Sequence, residues 1–425
     1  MQAACISCGD QVMLDRKPMH YHCGLCGGLL RIVHDFRQVD SARLKRIFDE
    51  RRGMRNCTTA SGVWRYKELI APELPDTAIV TRNEGNTGLY EPATVREFAG
   101  IRRLYLKAQS ENPSGSFKDN GMAVAVSHGK WLGYSTFACT STGNTSSSLA
   151  MYAAAAGMQA MVLVPSNEVS PNKVLQTLAY GAALNTFNGT YDDGIVWLSD
   201  NAELQSMYVC NSINPLRIEG QKSIIFELAH DLDWKLPDWI VLPGGALSNA
   251  AALGQGLHDL YTLGFIDRLP RVAVIQAEGA SPFHRMVAAS LRTLTPELKP
   301  STRASALNIG NPPSWLKALR LLDMTEGITA AVSDAEIMEA KAHIDRSGIG
   351  CEPASAAAVA GLRKLVREGV IAPEETAACI LTGSMLKDTD AIREYHIDGK
   401  LSAAPHLRNV IRSVTLGRSG NGLVV

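Results

Sequence analysis

Leu104-Tyr105-Leu106-Lys107-Ala108-Gln109-Ser110-Glu111-Asn112-Pro113-Ser114-Gly115-Ser116-Phe117-Lys118-Asp119 reads as a short apolar strand, a loop broken by Pro113 and Gly115, and the start of a helix. The same grammar recurs along the chain. From about residue 77, β-rich runs such as Phe137-Ala138-Cys139, Ala160 to Val164, Trp239 to Leu242, Val272 to Ile275 and Ala378 to Leu381 each lead into Gly, Pro or Ser and then an Ala-rich helical stretch. Strands that are continuously apolar have both faces covered, so the pattern predicts an α/β protein with largely parallel sheets. Such sheets bind ligands beyond the carboxyl ends of their strands, which makes the loops after the strands the place to look for chemistry.

Four of those loops stand out. In the first, Lys118 lies at a helix start, where the positive end of the helix dipole favours the neutral, nucleophilic amine. The second, Thr140-Ser141-Thr142-Gly143-Asn144-Thr145-Ser146-Ser147-Ser148, gathers hydroxyls and an amide before a helix predicted from Leu149 to Ala156. It is either an over-endowed helix cap or a cradle for a carboxylate or phosphate. The third, Pro243-Gly244-Gly245-Ala246-Leu247-Ser248-Asn249, lets backbone approach an anion, although it is neither a P-loop nor a dinucleotide fingerprint. The fourth, Leu381-Thr382-Gly383-Ser384, follows the last strong strand. Two anion cradles and a lysine emerge, with no Ser/His/Asp order and no catalytic metal set.

Composition narrows the partners. The chain has 425 residues, 46% of them hydrophobic, and 42 Lys plus Arg balance 42 Asp plus Glu, which argues against nucleic acid as a partner. The longest apolar run, Ala150 to Val164, is shorter than the roughly 20 residues a membrane span needs. The N-terminal residues lack the pattern of a secretory signal, so a reducing cytoplasm is expected. Four of the nine cysteines form two Cys-x-x-Cys pairs, Cys5/Cys8 and Cys23/Cys26, with fourteen residues between them. That spacing predicts a ribbon in which four thiolates hold a structural zinc ion and leave no open coordination position. Gly9 and Gly27 permit the tight turns. The polar stretch Arg43 to Arg55 reads as a solvated helix linking ribbon to body.

Taken together, the loops resemble the motif series of fold-type II pyridoxal-phosphate enzymes, and most specifically the threonine synthase family. Val63-Trp64-Arg65-Tyr66, Glu84-Gly85-Asn86-Thr87, Asn211 to Lys222, Ile309-Gly310-Asn311-Pro312 and Glu352-Pro353-Ala354-Ser355-Ala356-Ala357 extend the resemblance over about residues 63 to 390. It implies a tryptophan synthase β-like fold of two α/β lobes with the cofactor between them. It further implies that Lys118 forms the Schiff base with pyridoxal phosphate, that Asn144 bonds the cofactor's 3′ oxygen, and that Thr382 faces the pyridine nitrogen. Gly244, Gly245, Ala246, Leu247, Ser248 and Asn249 would bind the cofactor phosphate. Ser141, Thr142 and Thr145 would hold the substrate carboxylate; Asn211, Ser212 and Arg217 would hold the substrate's own phosphate.

The expected organisation is a ribbon at 1–30, a connecting segment at 31–75, a large lobe at 76–119 and 216–425, and a small lobe at 120–215, in a chain that forms a homodimer. The implied reaction removes phosphate from a phosphorylated amino acid and adds a nucleophile. O-phosphohomoserine and water would give threonine; a cysteate synthase-like exchange on O-phosphoserine with sulfite, or another activated amino acid, are the alternatives, as is a zinc-ribbon binding protein with a catalytically dead body. The departures from the family pattern are Gly88 for a proline, Ala246 and Ser248 in the phosphate loop, and Ser384-Met385 after Thr382-Gly383.

Overall fold

The computed structural model describes residues 1–166 and 171–396. The expected large-lobe stretch 397–425 and residues 167–170 of the expected small lobe lie outside it. The described strands are β1 (Gln2–Cys5), β2 (Gln11–Met13), β3 (Leu30–Val33), β4 (Leu89–Tyr90), β5 (Arg103–Ala108), β6 (Thr136–Thr140), β7 (Gln159–Pro165), β8 (Ala183–Phe187), β9 (Met207–Val209), β10 (Trp239–Pro243), β11 (Arg271–Ala277), β12 (Ile328–Val332) and β13 (Thr376–Leu381). They form three sheets, ordered β2-β1-β3, β12-β11-β10-β13-β5-β4 and β8-β7-β6-β9. The four-stranded sheet is wholly parallel, and the six-stranded sheet is parallel except for the edge strand β4.

The apolar runs explain this arrangement. Every residue of β10 is buried, as are all but the first of β5 and β13, because helices cover both faces. The helix Pro353–Arg367 is buried on all sides along its first turns, and its small residues Ala354 to Ala358 let it pack closely against its neighbours. Gly361 lies so close to β11 that a Cβ there would come within 2.5 Å of Ile275. Residues 136–209 supply the strands of the smaller sheet, and residues 89–108 and 239–381 those of the larger.

The charged stretch forms the expected helix, Ser41–Arg52, with two of its residues docked on the body. It is capped by the Asp40 carboxylate at 3.0 Å from the Arg43 amide. Leu44 and Phe48, four residues apart and therefore on one face, are buried, and Phe48 packs edge-on to Tyr66 at 4.9 Å. Two apolar residues at helical spacing anchor an otherwise polar helix. The β1–β3 ribbon is likewise tied to both larger sheets' layers: Tyr21 accepts from the Val209 amide at 2.6 Å, and Lys317 donates to the Leu30 carbonyl at 2.7 Å. Among the described residues no helix is long and apolar enough to cross a membrane.

Candidate active site

Lys118 opens the helix Lys118–Trp131, directly after the loop that follows β5. The loop is held against the turn after β13: the Phe117 amide donates to the Thr382 carbonyl at 2.9 Å, and the Ser384 amide to the Gly115 carbonyl at 2.9 Å. Asp119 fixes it from inside, accepting from the Ser114 amide at 2.7 Å, the Ser114 hydroxyl at 2.6 Å and the Ser148 hydroxyl at 2.5 Å. One carboxylate thus joins the lysine loop to the hydroxyl-rich helix. Burial raises the Asp119 pKa to about 6, against those three hydrogen bonds.

The amine of Lys118 lies 3.9 Å from the centroid of the Phe117 ring. Burial pulls its pKa down to about 7; Arg217 adds to the fall and Glu352 opposes it. Desolvation is thus a larger cause than the Arg217 charge. Arg217 comes near because the helices Lys118–Trp131 and Pro215–Gln221 meet backbone to backbone. A Cβ on Gly121 would lie 2.5 Å from the Arg217 carbonyl oxygen, and one on Gly220 2.2 Å from that of Asn120. Only glycine at both positions permits this approach.

Across the cleft, Asn144 opens the helix Asn144–Ala155, whose observed start lies five residues before the expected Leu149. Its Nδ2 donates to both carboxylate oxygens of Glu352, at 3.1 and 3.0 Å. Burial holds the Glu352 carboxyl above the usual range, opposed by Asn144 and by the charges of Lys118 and Lys387. Ser355, one turn further on, accepts from the amides of Thr382 and Gly383 at 2.9 and 2.8 Å, and its oxygen lies 3.0 Å from the Thr382 hydroxyl. The Thr382 side chain is thereby fixed in orientation. Ser141, Thr142 and Thr145 are half-buried around the same helix start, and Ser141 accepts from the Gly143 amide at 3.1 Å.

The loop after β10 brings Gly244 to Asn249 to the N-terminus of the helix Ser248–Thr262. A Cβ on Gly244 would meet Val274 at 2.6 Å, and one on Gly245 the Ala306 carbonyl oxygen at 2.6 Å. Leu247 takes a left-handed conformation, φ +62°, that turns the chain into the helix. Asn249 is buried, and its Nδ2 has no partner among the described residues. A tight backbone turn, a helix N-terminus and an unsatisfied buried donor fit a phosphate group.

The residues expected at the substrate phosphate divide. Arg217 is buried and donates through Nη1 to the Cys210 carbonyl at 2.8 Å; Ser212 is buried, and its hydroxyl has no partner among the described residues. Asn211 instead pairs its amide with the Thr140 backbone, accepting from the Thr140 N–H at 3.1 Å and donating to its carbonyl at 3.0 Å, so it extends the end of β6. Lys387 was not singled out from sequence. It reaches from beyond β13 to the Ser147 hydroxyl at 3.0 Å and to Gln176 Oε1, and burial lowers its pKa. Where the family pattern has a proline, the Gly88 N–H donates to Glu111 at 2.6 Å, and the Tyr90 hydroxyl donates to the same carboxylate at 2.6 Å.

At the ribbon, the sulfurs of Cys5, Cys8, Cys23 and Cys26 all lie within 4.8 Å of one another, with Cys5 to Cys26 and Cys8 to Cys26 both at 3.4 Å. The Ser7 and Leu25 amides donate to the sulfurs of Cys5 and Cys23 at 3.3 and 3.4 Å, and Gly9 and Gly27 have φ of +80° and +71°. Tetrahedral ligands about 2.3 Å from a zinc ion would sit about 3.8 Å apart, so the cluster fits such an ion.

A half-buried lysine of lowered pKa after β5 and a phosphate-fitting turn after β10 lie beyond the carboxyl ends of strands in one sheet, parts that suit a pyridoxal-phosphate enzyme, and residues 80–383 match the family described as pyridoxal-phosphate dependent enzyme. The chain belongs to that family and, within it, to the threonine synthase family. It is 42% identical over 391 residues to a threonine synthase of Methanosarcina acetivorans, covering 91% of this chain and 92% of that one. To a threonine synthase of Methanocaldococcus jannaschii it is 40% identical, covering 92% and 94%. The solved threonine synthase of Escherichia coli superposes with a TM-score of 0.71 over 92% of this chain and 90% of that one at 17% identity, a likeness of fold.

Proposed function

We propose that this protein is a threonine synthase that converts O-phosphohomoserine and water to threonine and phosphate. The reading is supported by identity of 40–42% to threonine synthases along most of the chain, together with Lys118 near Arg217 after β5 and the Gly244–Asn249 turn after β10 of the same sheet. Pyridoxal phosphate, when bound, supplies an electron sink for the charge left at Cα. The backbone amides from Gly244 to Ser248 and the Asn249 amide hold its phosphate, and Lys118 is its attachment point.

The residues of the chain then share the work. Ser141, Thr142 and Thr145, at a helix N-terminus, bind and orient the substrate carboxylate. Arg217 and Ser212 take the substrate phosphate, the Arg217 guanidinium offering a bidentate fork. Lys118, neutral near pH 7, accepts the Cα proton and relays the Cβ proton whose loss lets the γ-phosphate depart. Water adds at Cβ. Asn144, held by Glu352, would bond the cofactor's 3′ oxygen, and Thr382, oriented by Ser355, would offer a hydroxyl rather than a carboxylate to the ring nitrogen. Lys387 joins the last loop to Ser147 and Gln176 and so holds the cleft closed around its contents.

A structural zinc ion on Cys5, Cys8, Cys23 and Cys26 completes the reading, consistent with a reducing cytoplasm that keeps the thiols free to ligate. The test is product analysis of cofactor-loaded protein offered O-phosphohomoserine or, separately, O-phosphoserine with sulfite. Threonine and phosphate from the first, abolished by Lys118→Ala, is the expected result. Cysteate from the second would reassign the substrate.

A further inference from the structure

A second cavity, of about 250 Å³, lies away from the catalytic cleft, where the ribbon meets the body. Ile6 and Arg31 of the ribbon form one wall, and Lys317 and Arg320 of the helix Trp315–Thr325 another. The helix Pro215–Gln221 contributes Ile218 and Glu219, whereas Arg217 on that helix belongs to the catalytic side. None of the candidate catalytic residues lines this cavity.

Charge in this cavity does not balance. Glu219 is its one lining carboxylate, and it is already held by Lys222 at 2.5 Å and His34 at 2.7 Å. Lys317 is buried and donates to the Leu30 carbonyl at 2.7 Å, Arg320 donates to the Ile6 carbonyl, and Arg31 makes no hydrogen bond or ion pair among the described residues. Neutral carbonyls accept one hydrogen bond each from Lys317 and Arg320 and neutralise neither charge. Burial lowers the Lys317 pKa to about 7; Glu219 opposes the fall, while Arg31 and Arg320 reinforce it. Arg31 and Arg320 are exposed at the mouth and Lys317 is buried behind them, so three basic side chains and no uncommitted carboxylate give the concavity a positive potential that favours an anion.

We propose that this cavity binds a small anion through a phosphate or carboxylate group, held by Arg31, Lys317 and Arg320 across the seam between ribbon and body. The apolar surfaces of Ile6, Ile32 and Met324 would pack against a compact organic remainder. Arg31, exposed and uncommitted, is the entrance residue and is remote from the catalytic machinery.

The experiment is calorimetric titration of the holoenzyme with inorganic phosphate, with the cofactor's absorbance recorded in parallel to report occupancy of the catalytic cleft. Wild-type protein is expected to bind phosphate in excess of the cleft's share. Arg31→Gln and Arg320→Gln should each weaken that additional site by about tenfold or more, leaving the spectral response and turnover unchanged. A stoichiometry fully accounted for by the cleft, or an additional site unaffected by both variants, would overturn the proposal. Loss of the spectral response alone would count against the proposed reaction and leave the cavity's assignment standing.

Discussion

Lys118 should capture cofactor with a rate that titrates near neutrality. A solvent-exposed lysine of pKa about 10.4 is neutral in only about one molecule in two to three thousand at pH 7. Burial and Arg217 bring Lys118 to about 7, so about half the amines are neutral there, a gain of about three orders of magnitude in nucleophile. Stopped-flow mixing of apoenzyme with pyridoxal phosphate between pH 5.5 and 9.5 should give a sigmoid whose midpoint lies near 7. Glu352 opposes the depression, so Glu352→Gln, which preserves an acceptor for Asn144, should move the midpoint lower still. A capture rate that climbs tenfold per pH unit through pH 9 would refute the argument that burial controls this amine; a midpoint unmoved by Glu352→Gln would refute the contribution of that carboxylate.

Three other outcomes are expected. Gly121→Ala forces a Cβ to 2.5 Å from the Arg217 carbonyl and should destabilise the protein by about 1–3 kcal/mol in chemical denaturation, with a larger fractional loss of turnover than of cofactor content. Gly88→Pro removes the amide donor to Glu111 and crowds Tyr90; it should lower stability by about 1–3 kcal/mol although proline is the residue of the family pattern, and an unchanged thermal midpoint would contradict the role given to Glu111. Mass spectrometry under native conditions should find one zinc ion per chain, and a strong chelator should lower the thermal midpoint of the whole protein rather than of the ribbon alone, because the ribbon is bonded to Val209 and Lys317 of the body.

Much of this was legible because the informative residues are local. Continuously apolar strands such as Trp239 to Leu242 announce burial on both faces, and the turns that follow them carry their own Gly and Ser punctuation. The paired cysteines needed only their spacing. What escaped notice depends on contacts between distant parts of the chain. Glu352 meets Asn144 across 208 positions and Lys387 meets Ser147 across 240, and neither residue type is unusual for its own surroundings. The helix start at Lys118 is visible in sequence, whereas the nearness of Arg217, across the close approach of Gly121 and Gly220, is not. The pairing of the Asn211 amide with the Thr140 backbone is likewise a long-range contact that its motif does not announce. The helix Ser41–Arg52 was read by its charges, and its docking rests on two side chains.

The most direct test of the central claim is conversion of O-phosphohomoserine in water enriched in oxygen-18. If Lys118 moves protons so that phosphate leaves by cleavage of the Cγ–O bond and water then adds at Cβ, the label appears in the hydroxyl of threonine and the released phosphate carries none. Labelled phosphate with no threonine would mean simple hydrolysis at phosphorus and would contradict the account.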